Sequence, residues 1–297
     1  MSPSQIHTLA DRRIGLVTCR KVPDLTPDDR LFASELRQRG AEALPVLWDD
    51  ESAAWGAFDG LVIRSVWDYH HRVDEFRAWL DRLERARARV WNPTELVRWN
   101  LHKSYLEELA AAGVPVVPTV RLARGSQADL GALLAERAWT RAVVKPAVSA
   151  SAHETWLVGI EEAGERQAPF AALLAERDLL VQRFEPAIRE RGEWSLLFFG
   201  GAYSHAMLKR PGAGDFRVQE ELGGSSTLTV PPERLVEQAQ GILAQLREPP
   251  LYARVDGIDL DGTFILMELE LIEPVLFLGS HPQAPARLAD ALGRLAD

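Results

Sequence analysis

The sequence predicts an α/β domain followed by an α+β region. Over the first hundred residues short apolar runs alternate with amphipathic segments, which is typical of a parallel sheet with helices on both faces. After Gly113 the pattern changes, and two segments read as β-hairpins, one of them closed by Asp261-Gly262. A chain of 297 residues is long enough for two or three packed subdomains, each with its own core.

The first part begins with a strand and a capped helix. Thr26 is placed to cap a helix that starts at Pro27 and ends at Gly40. A second helix is predicted between Val73 and Arg85, where large apolar residues recur at helical spacing. Strands are predicted at 13–19, 43–47, 60–65 and 90–92.

The second part mixes helices with strands that pair antiparallel. Helices are predicted at 103–112, 127–138, 168–177 and 232–247. Strands are predicted at 116–122, 141–147, 155–158 and 179–184. The two hairpins join 194–199 to 202–209 and 252–260 to 263–271. Such hairpins with intervening helices indicate an α+β architecture.

Composition excludes some classes of partner. Lys and Arg number 34 against 43 Asp and Glu, and a net charge of −9 argues against nucleic acid. No window approaches the roughly 18 apolar residues of a membrane span, and the N-terminus lacks the apolar stretch of a signal peptide. The single cysteine, Cys19, lies in an apolar run and is expected to be a buried strand thiol. We therefore expect a cytoplasmic protein with no membrane partner.

Three carboxylates on the second hairpin are the most informative feature. Alternate side chains of a strand share a face, so Glu268 and Glu270 point the same way, with Met267, Leu269 and Leu271 pointing the other way. Asp256 lies on the partner strand, and a tight turn at Asp261-Gly262 aligns it near residues 264–267, offset from Glu268. Three converging carboxylates repel one another unless a cation lies between them, and hard oxygen ligands suit magnesium. Taken alone, these residues are also compatible with a solvent-exposed strand that carries acidic side chains. Glu273, Asp259 and Asp261 fit this alternative better, as turn or surface residues.

Basic residues upstream are candidate phosphate ligands. Lys145 ends an apolar strand and Lys103 begins a helix, and a lysine is a good point charge for phosphate. Ser149 and Ser151 lie in a run of small residues that would let the backbone approach a phosphate. The segment 209–219 resembles a mobile loop carrying Arg217 towards a site. The alternatives are that the two lysines lie on the surface, that the run of small residues is a plain flexible turn, and that 209–219 is a surface loop.

Other catalytic patterns are missing from the sequence. There is no G-x-S-x-G elbow, no GxxxxGK[ST] loop and no GxGxxG turn. His70-His71 and His281 lack a second imidazole or thiol at metal-ligand spacing, so no zinc site is expected. Trp67-Asp68-Tyr69 follows the strand that ends at Arg64-Ser65, and carboxyl ends of parallel strands are where ligands bind.

Taken in order, these segments resemble the ATP-grasp ligases, the superfamily of glutathione synthetase and D-alanine–D-alanine ligase. The resemblance rests on NLHK at 100–103, VKP at 144–146, LVQRF at 180–184, GEWS at 192–195, and Asp256 followed by Glu268-Leu269-Glu270. The last of these is similar to the family's metal signature, with Glu270 in place of the usual asparagine. The patterns VIRSVWDY, VWNPTELVRWNLHK, GDFRVQ and MELELIEP are similar to the cyclo-ligases that make cycloserine from O-ureidoserine.

The resemblance implies a fold and a reaction. It implies an ATP-grasp fold with a small parallel α/β (pre-ATP-grasp) domain at 1–98 and an ATP-grasp domain at 99–297, whose lid subdomain spans about 115–184 and whose C-terminal subdomain has an antiparallel sheet. It implies an ADP-forming carbon–nitrogen ligase that joins a small carboxylate and an amine through an acyl phosphate. An intramolecular cyclo-ligase, or a nucleotide-binding protein without ligase activity, remains the alternative. A homodimer or larger homo-oligomer is also expected.

The resemblance also implies a role for each candidate residue. ATP is expected to contact Lys103, Lys145, Ser149, Ser151, Gln182, Arg183, Phe184 and Glu193. Magnesium ions, two of them because of the extra charge of Glu270, are expected on Asp256, Glu268 and Glu270. Lys209 and Arg217 are expected to act in catalysis, and Arg64, Ser65, Trp67 and Asp68 to line the substrate end. Ser149 and Ser151 stand where glycines are usual, which bears on how deeply the lid wraps the triphosphate.

Overall fold

A computed structural model describes residues 9–150, 152–212, 214–218 and 222–296 of the chain. The strands are β1 (Arg13–Thr18), β2 (Glu42–Leu47), β3 (Gly60–Ser65), β4 (Val90–Trp91), β5 (Thr119–Leu122), β6 (Arg141–Pro146), β7 (Trp156–Gly159), β8 (Leu179–Arg183), β9 (Glu193–Phe199), β10 (Ala202–Arg210), β11 (Ser225–Leu228), β12 (Tyr252–Leu260) and β13 (Thr263–Glu270). The α-helices are α1 (Pro27–Gln38), α2 (Val73–Arg85), α3 (Thr94–Leu101), α4 (Tyr105–Ala111), α5 (Leu130–Glu136), α6 (Ala163–Glu176), α7 (Ala187–Glu190), α8 (Glu233–Leu243) and α9 (Ala284–Ala296).

The N-terminal sheet is parallel, in the order β2-β1-β3-β4. Its central strands are buried on both faces, with Leu16 packed under α1 and Ile63 packed under α2. The Thr26 hydroxyl accepts a hydrogen bond from the Asp29 backbone N–H at 3.0 Å, so the predicted cap of α1 is confirmed. The predicted helix over 73–85 is also confirmed, and the α/β character of this part follows.

Two antiparallel sheets make up the rest. The first has the order β5-β8-β6-β7, and α5 and α6 pack on it through a cluster that includes Leu134, Val144 and Phe170. The second has the order β11-β10-β9-β12-β13. Both predicted hairpins lie in this second sheet, so the α+β prediction is confirmed.

Several elements differ from the prediction. The helix expected at 103–112 is present as the slightly shorter α4, and α3, which ends at Leu101 before it, had no predicted counterpart. Between them the Lys103 backbone N–H donates to the Ala147 carbonyl at 2.8 Å, a bond that a continuous helix would not allow. The elements β11, α7 and α9 had no predicted counterpart; α9 packs against α1 and joins the N-terminal core to the C-terminal sheet.

A β-bulge corrects the predicted alignment of the carboxylate hairpin. The register shifts by one residue between Asp256 and Gly257, so Gly257 pairs with Leu266 while Asp256 pairs with Glu268. The extra residue is Met267, which packs with Ile265 on the side opposite to Leu266 and Leu269. The expected offset between Asp256 and Glu268, and the expected direction of Met267, were therefore wrong.

Among the residues that the structure describes, no helix is long and apolar enough to cross a bilayer.

Candidate active site

Side chains from the N-terminal half hold the outer edge of β13. Asn100 donates to the Leu269 carbonyl at 2.7 Å and accepts from the Leu271 backbone N–H at 2.9 Å. The Tyr105 hydroxyl accepts from the Leu269 backbone N–H at 3.0 Å. Because an edge strand has unpaired backbone groups, these contacts satisfy the edge and fix the strand. The face that carries Glu268 and Glu270 is thereby held in place.

Asp256, Glu268 and Glu270 form a carboxylate triad on the hairpin. Asp256 is only 3% exposed, and the Ser195 hydroxyl donates to its Oδ1 at 2.6 Å. The side chains of Glu268 and Glu270 are each 27% exposed, whereas Leu269 between them is buried in the apolar cluster. The two glutamates share one face, as predicted, and the triad is buried at Asp256 and open at the other end.

Three lysines reach this triad from different elements. Lys103 Nζ lies 2.9 Å from Glu268 Oε1, and Lys145 Nζ lies 3.9 Å from Glu268 Oε2. Lys209 Nζ lies 3.3 Å from Asp256 Oδ2 and 2.6 Å from Glu193 Oε1. Residues up to 165 positions apart in the sequence (103 to 268) therefore form one charged cluster, in which cations and anions alternate.

Arg254 is a member of the site that sequence reasoning missed. Its Nε lies 3.0 Å from Asp256 Oδ1, its Nη2 lies 3.0 Å from Asp256 Oδ2, and Nη2 also contacts Glu270. Arg254 and Asp256 are alternate residues of β12, so period-two spacing along the strand was the signal that could have found it.

Burial and mutual repulsion set the pKa values of the triad. Burial raises the pKa of Glu270 to about 7, and the charges of Asp256 and Glu268 add to the rise although Arg254 opposes it. Burial also disfavours the charged form of Asp256, but Arg254 and Lys209 outweigh it and lower its pKa to about 2. For Glu268, Lys103 and Lys145 outweigh burial and lower the pKa. One carboxylate of the three is thus poised to take up a proton.

The pKa values of the three lysines also shift in different directions. Burial lowers the pKa of Lys145, because Glu268 at 3.9 Å compensates only partly and Lys103 adds repulsion. For Lys103, burial is outweighed by Glu268 and the pKa is raised. For Lys209, Asp256 and Glu193 outweigh burial and raise the pKa. Lys145 is therefore the lysine with the least anionic compensation, which suits a group that awaits a phosphate.

The triad fits a magnesium ion by its donor chemistry. Six carboxylate oxygens lie on one hairpin, and hard oxygen donors are the ligands that Mg²⁺ takes together with phosphate oxygens. Burial is the main cause of the raised pKa of Glu270, and repulsion from Asp256 and Glu268 contributes to it. A divalent cation there would relieve that repulsion.

Glu273 is not the surface residue that was expected. The Tyr69 hydroxyl is hydrogen-bonded to its carboxyl group, and the Trp67 indole N–H donates to its backbone carbonyl at 3.1 Å. Burial raises the pKa of Glu273 to about 8, and the nearby charge of Glu270 adds to the rise. Asp261 is an exposed turn residue as expected and pairs with Arg191, whereas Asp259 belongs to β12, is only 20% exposed and pairs with Arg234.

The four expected substrate residues lie at the carboxyl end of β3 and just beyond it. Arg64 Nε donates to Asp29 Oδ1 at 2.8 Å and the Ser65 hydroxyl donates to Asp29 Oδ2 at 2.7 Å. Arg64 Nη2 donates to the Pro274 carbonyl, while its buried Nη1 has no partner among the described residues. Asp68 accepts from Trp48 and Arg72, so its described bonds are structural. Trp67 and Arg64 thus link this strand end to the segment that follows β13.

The candidate ATP-contacting residues of the β6–β7 loop and of β8 make described contacts within the protein. The Ser149 carbonyl accepts from Lys103 Nζ at 2.8 Å, and the Ser149 hydroxyl donates to the Pro146 carbonyl at 3.1 Å. Ser151 lies outside the described residues. In β8, which the sequence predicted to be the hinge strand, the Gln182 side chain donates to Thr119 at 2.9 Å, and Arg183 pairs with Glu185. The structure therefore brings Ser149, but not the hinge side chains, into direct contact with a lysine of the cluster.

The segment that carries Arg217 folds back over the C-terminal sheet. Val218 is buried beside Ile258, and the Phe216 ring meets the Phe184 ring edge-on, with centroids 6.2 Å apart. The described ion pair of Arg217 is with Asp215, at 2.8 Å. The segment thus bridges the hinge strand and the sheet, and Arg217 is held by its neighbour rather than by the triad.

A histidine cluster also differs from the expectation. His153, from the β6–β7 loop, lies beside His70 and His71, and one ring nitrogen of each histidine lies within 4.8 Å of the other two. Spacing along the chain gave no sign of this, because His71 and His153 are 82 positions apart (153 − 71). Burial, together with repulsion from His71 and His153, lowers the pKa of His70 to about 4.

The fold agrees with solved ATP-grasp structures. D-alanine–D-alanine ligase from Bacillus anthracis superposes with a TM-score of 0.67 and 13% identity, covering 96% of this chain and 97% of that one. At such low identity the match shows the fold alone. Together with the lysine–carboxylate site and the relatives described next, it defines the chain as an ATP-dependent ligase of the ATP-grasp class.

More similar proteins fix the family. The cycloserine biosynthesis protein DcsG from Streptomyces lavendulae is 33% identical over 262 residues, which are 82% of this chain and 86% of that protein. The crystal structure of D-cycloserine synthetase DcsG superposes with a TM-score of 0.86 and 30% identity, covering 96% of this chain and all of that one (100%). Residues 14–92 match the N-terminal domain of D-cycloserine synthetase DcsG. The chain belongs to the DcsG family.

Proposed function

We propose that this ligase closes a ring within one small substrate, of the O-ureidoserine type. The observation that carries the proposal is the similarity to D-cycloserine synthetase along the whole chain, including the N-terminal domain that bears Arg64 and Trp67. A ligase that joins two separate molecules is the second candidate, since D-alanine–D-alanine ligase shares the fold. In both cases the substrates are a small carboxylate and a nitrogen nucleophile.

The reaction has two bond-forming steps. The substrate carboxylate takes the γ-phosphoryl group of ATP, which gives an acyl phosphate and ADP. A nitrogen then attacks the acyl carbon, the C–N bond forms, the C–O bond to phosphate breaks, and phosphate leaves. In the cyclising reaction that nitrogen belongs to the same substrate, next to the side-chain oxygen, and its carbamoyl group is lost by hydrolysis.

Magnesium, when bound, neutralises charge on the phosphates during transfer. We propose that Asp256, Glu268 and Glu270 hold it, and their convergence on one hairpin supports this. Two ions per chain are proposed, because Glu270 adds a charge. Arg254 already balances part of that charge. Electron paramagnetic resonance with Mn²⁺ and a non-hydrolysable ATP analogue would count the ions. Two are expected; a single ion would indicate that Arg254 compensates the extra charge of Glu270.

We propose that the phosphates are bound by Lys103 and Lys145 and that the hinge binds the adenine. Phosphate binding is supported by two observations. The charge of Lys145 is only partly compensated by nearby carboxylates, and Lys103 Nζ donates to the Ser149 carbonyl. The ATP-contacting set remains Lys103, Lys145, Ser149, Ser151, Gln182, Arg183, Phe184 and Glu193. Lys103 and Lys145 can hold the transferring group only while Glu268 is paired with a metal rather than with them.

Lys209 and Arg217 are proposed to act on the transferring group, and Arg254 is added to them. Lys209 and Arg254 both contact Asp256, so either can stabilise negative charge that develops beside it. Arg217 would have to leave Asp215 to take part. Ser65 and Asp68 are kept as substrate-side residues with Arg64 and Trp67, and the unpartnered Nη1 of Arg64 supports a carboxylate ligand there.

The functional division of the chain is proposed to be 1–98 and 99–297, with a lid at about 115–184. The strands of the three sheets support it, since they span 13–91, 119–183 and 193–270. The lid would keep water from the acyl phosphate.

We also propose a homodimer, which is supported by the exposed side chains of Leu228 and Val230 at the end of the edge strand β11. A cytoplasmic location is proposed as well, because it suits the use of ATP. Light scattering after size exclusion would test the dimer, and a single-chain mass would contradict it.

Product analysis tests the reaction. The chain is incubated with ATP, magnesium and either O-ureido-D-serine, O-ureido-L-serine or pairs of amino acids including D-alanine. Mass spectrometry is expected to find cycloserine and ADP with one ureidoserine enantiomer. A dipeptide without cycloserine would support the intermolecular ligase. A rise in melting temperature with ATP and magnesium, but no ADP from any substrate, would support a nucleotide-binding protein.

A further inference from the structure

Three histidines meet where the N-terminal domain faces the lid. His70 and His71 lie in a 3-10 turn (Tyr69–His71) that follows β3, and His153 lies in the loop between β6 and β7. The ring centroids of His70 and His71 are 3.9 Å apart, and the His153 ring lies 4.8 Å from His71 and 5.3 Å from His70. Connecting segments next to two different sheets thus converge on one point.

The cluster has the donor set of a metal site. His70 Nδ1 is buried and has no hydrogen-bond partner among the described residues, which is an uncommon state for a buried polar atom. Three imidazoles with an open fourth position are a usual set for zinc and similar ions. Tetrahedral binding at about 2.0–2.1 Å needs ligand nitrogens about 3.4 Å apart. Since the nitrogens already lie within 4.8 Å, side-chain movements of about an ångström complete the site.

We propose that His70, His71 and His153 bind one divalent d-block ion of the zinc type, and that this ion fastens the β6–β7 loop to the N-terminal domain. The site is separate from the carboxylate triad, whose hard oxygen donors suit magnesium instead. The proposal does not depend on the substrate of the ligase.

The loop is already seated where such an ion would hold it. Val148 packs with the N-terminal core around Ile63, and Ser149 accepts from Lys103 Nζ. Glu154, next to His153, lies 3.6 Å from His153 Nε2 and pairs with Arg177, so a carboxylate is at hand to orient the imidazole. Because the loop follows directly on Lys145, a bound ion slows loop opening and nucleotide exchange, and zinc lowers the turnover number.

Binding is tested on the full chain without an affinity tag and freed of metal. Calorimetry with Zn²⁺, and the visible absorption of tetrahedral Co²⁺, are expected to show one ion per chain. His153→Ala and His71→Ala are expected to weaken binding by at least about 100-fold, since loss of an outer-shell partner alone costs about 10- to 100-fold. His281→Ala, which removes an imidazole outside the cluster, is the matched control and keeps wild-type affinity.

Two results would overturn the site. One is wild-type zinc affinity in His153→Ala and in the second variant His153→Gln, with melting curves showing that both are folded. The other is zinc binding that is lost in Glu268→Gln but kept in the histidine variants, because the ion would then occupy the carboxylates. The fastening is tested by hydrogen exchange: zinc is expected to slow exchange in the peptide covering 148–155 of the wild type and not of His153→Ala. Unchanged exchange in zinc-loaded wild type would refute it.

Discussion

Asp256 and Glu268 lie directly opposite each other on β12 and β13, one position away from the alignment that the turn at Asp261-Gly262 sets. The bulge at Met267 causes the shift, and it brings the buried carboxylate of one strand against the half-open carboxylate of the other. Four cationic side chains surround the pair: Lys103, Lys145, Lys209 and Arg254. The bulge therefore determines the geometry of the whole cluster.

Gly257→Ala is expected to disturb this bulge. A Cβ at Gly257 would lie 2.5 Å from Phe264 Cζ and 2.6 Å from the Ile265 carbonyl oxygen, so the hairpin must move. We expect a loss of about 1–3 kcal/mol in the free energy of unfolding, as for an overpacked core, and lower ligase activity. Urea unfolding measures the first. Gly241→Ala in α8, where a Cβ meets nothing within 4 Å, is the control and should stabilise by about 0.5–1 kcal/mol. Equal stability of the two variants would contradict the role of the bulge.

Glu268→Gln is expected to reduce ADP formation by at least about 100-fold while the fold is kept, as for loss of one electrostatic group in an active site. The change removes a proposed magnesium ligand and leaves Lys103 and Lys145 without their anionic partner. Steady-state kinetics gives the turnover, and circular dichroism checks the fold. Glu237→Gln on the exposed face of α8 is the control. Near-normal turnover in Glu268→Gln would remove Glu268 from the metal site.

Arg254→Lys is expected to lower both activity and stability. A lysine keeps the charge but cannot make the two-nitrogen contact with Asp256 or reach Glu270 at the same time. Loss of charged hydrogen bonds should cost about 1.5–3 kcal/mol in the free energy of unfolding. Arg191→Lys, whose pair with Asp261 is exposed, should change stability by less than about 0.5 kcal/mol. Denaturant melts of both variants decide it, and equal losses would contradict the argument.

Stability should depend on pH through Glu273. Its pKa in the folded chain is raised from the ordinary value of 4.5 to about 8, so the folded state binds a proton that the unfolded state has released. The stabilisation is complete below pH 4.5 and is lost as pH rises through about 8, with a slope of at most about 1.4 kcal/mol per pH unit. Glu273→Gln should flatten this slope between pH 5 and 8 in urea titrations. Parallel curves for the two proteins would refute the assignment.

Local patterns were sufficient for most elements. The cap at Thr26, the helix over 73–85 and both hairpins follow from residues within a few positions of one another, and the structure has them. The helix predicted at 103–112 begins two residues later, at Tyr105, because the Lys103 backbone N–H bonds to Ala147 instead, and α3 and α9 were not anticipated from the sequence.

The sequence alone determined which residue types are available and in what order: two upstream lysines, a basic strand end, and acids spaced to share a face of β13. Tertiary structure alone decided what they contact. It placed Arg254 and Lys209 on Asp256, turned Glu273 towards Tyr69, and brought His153 to His70. The physical reason is that the two-residue period of a strand fixes the face of the sheet on which a side chain lies. The partner of that side chain depends on the bulge, on the order of the strands and on the position of the β6–β7 loop, and all three arise from contacts between residues distant in sequence.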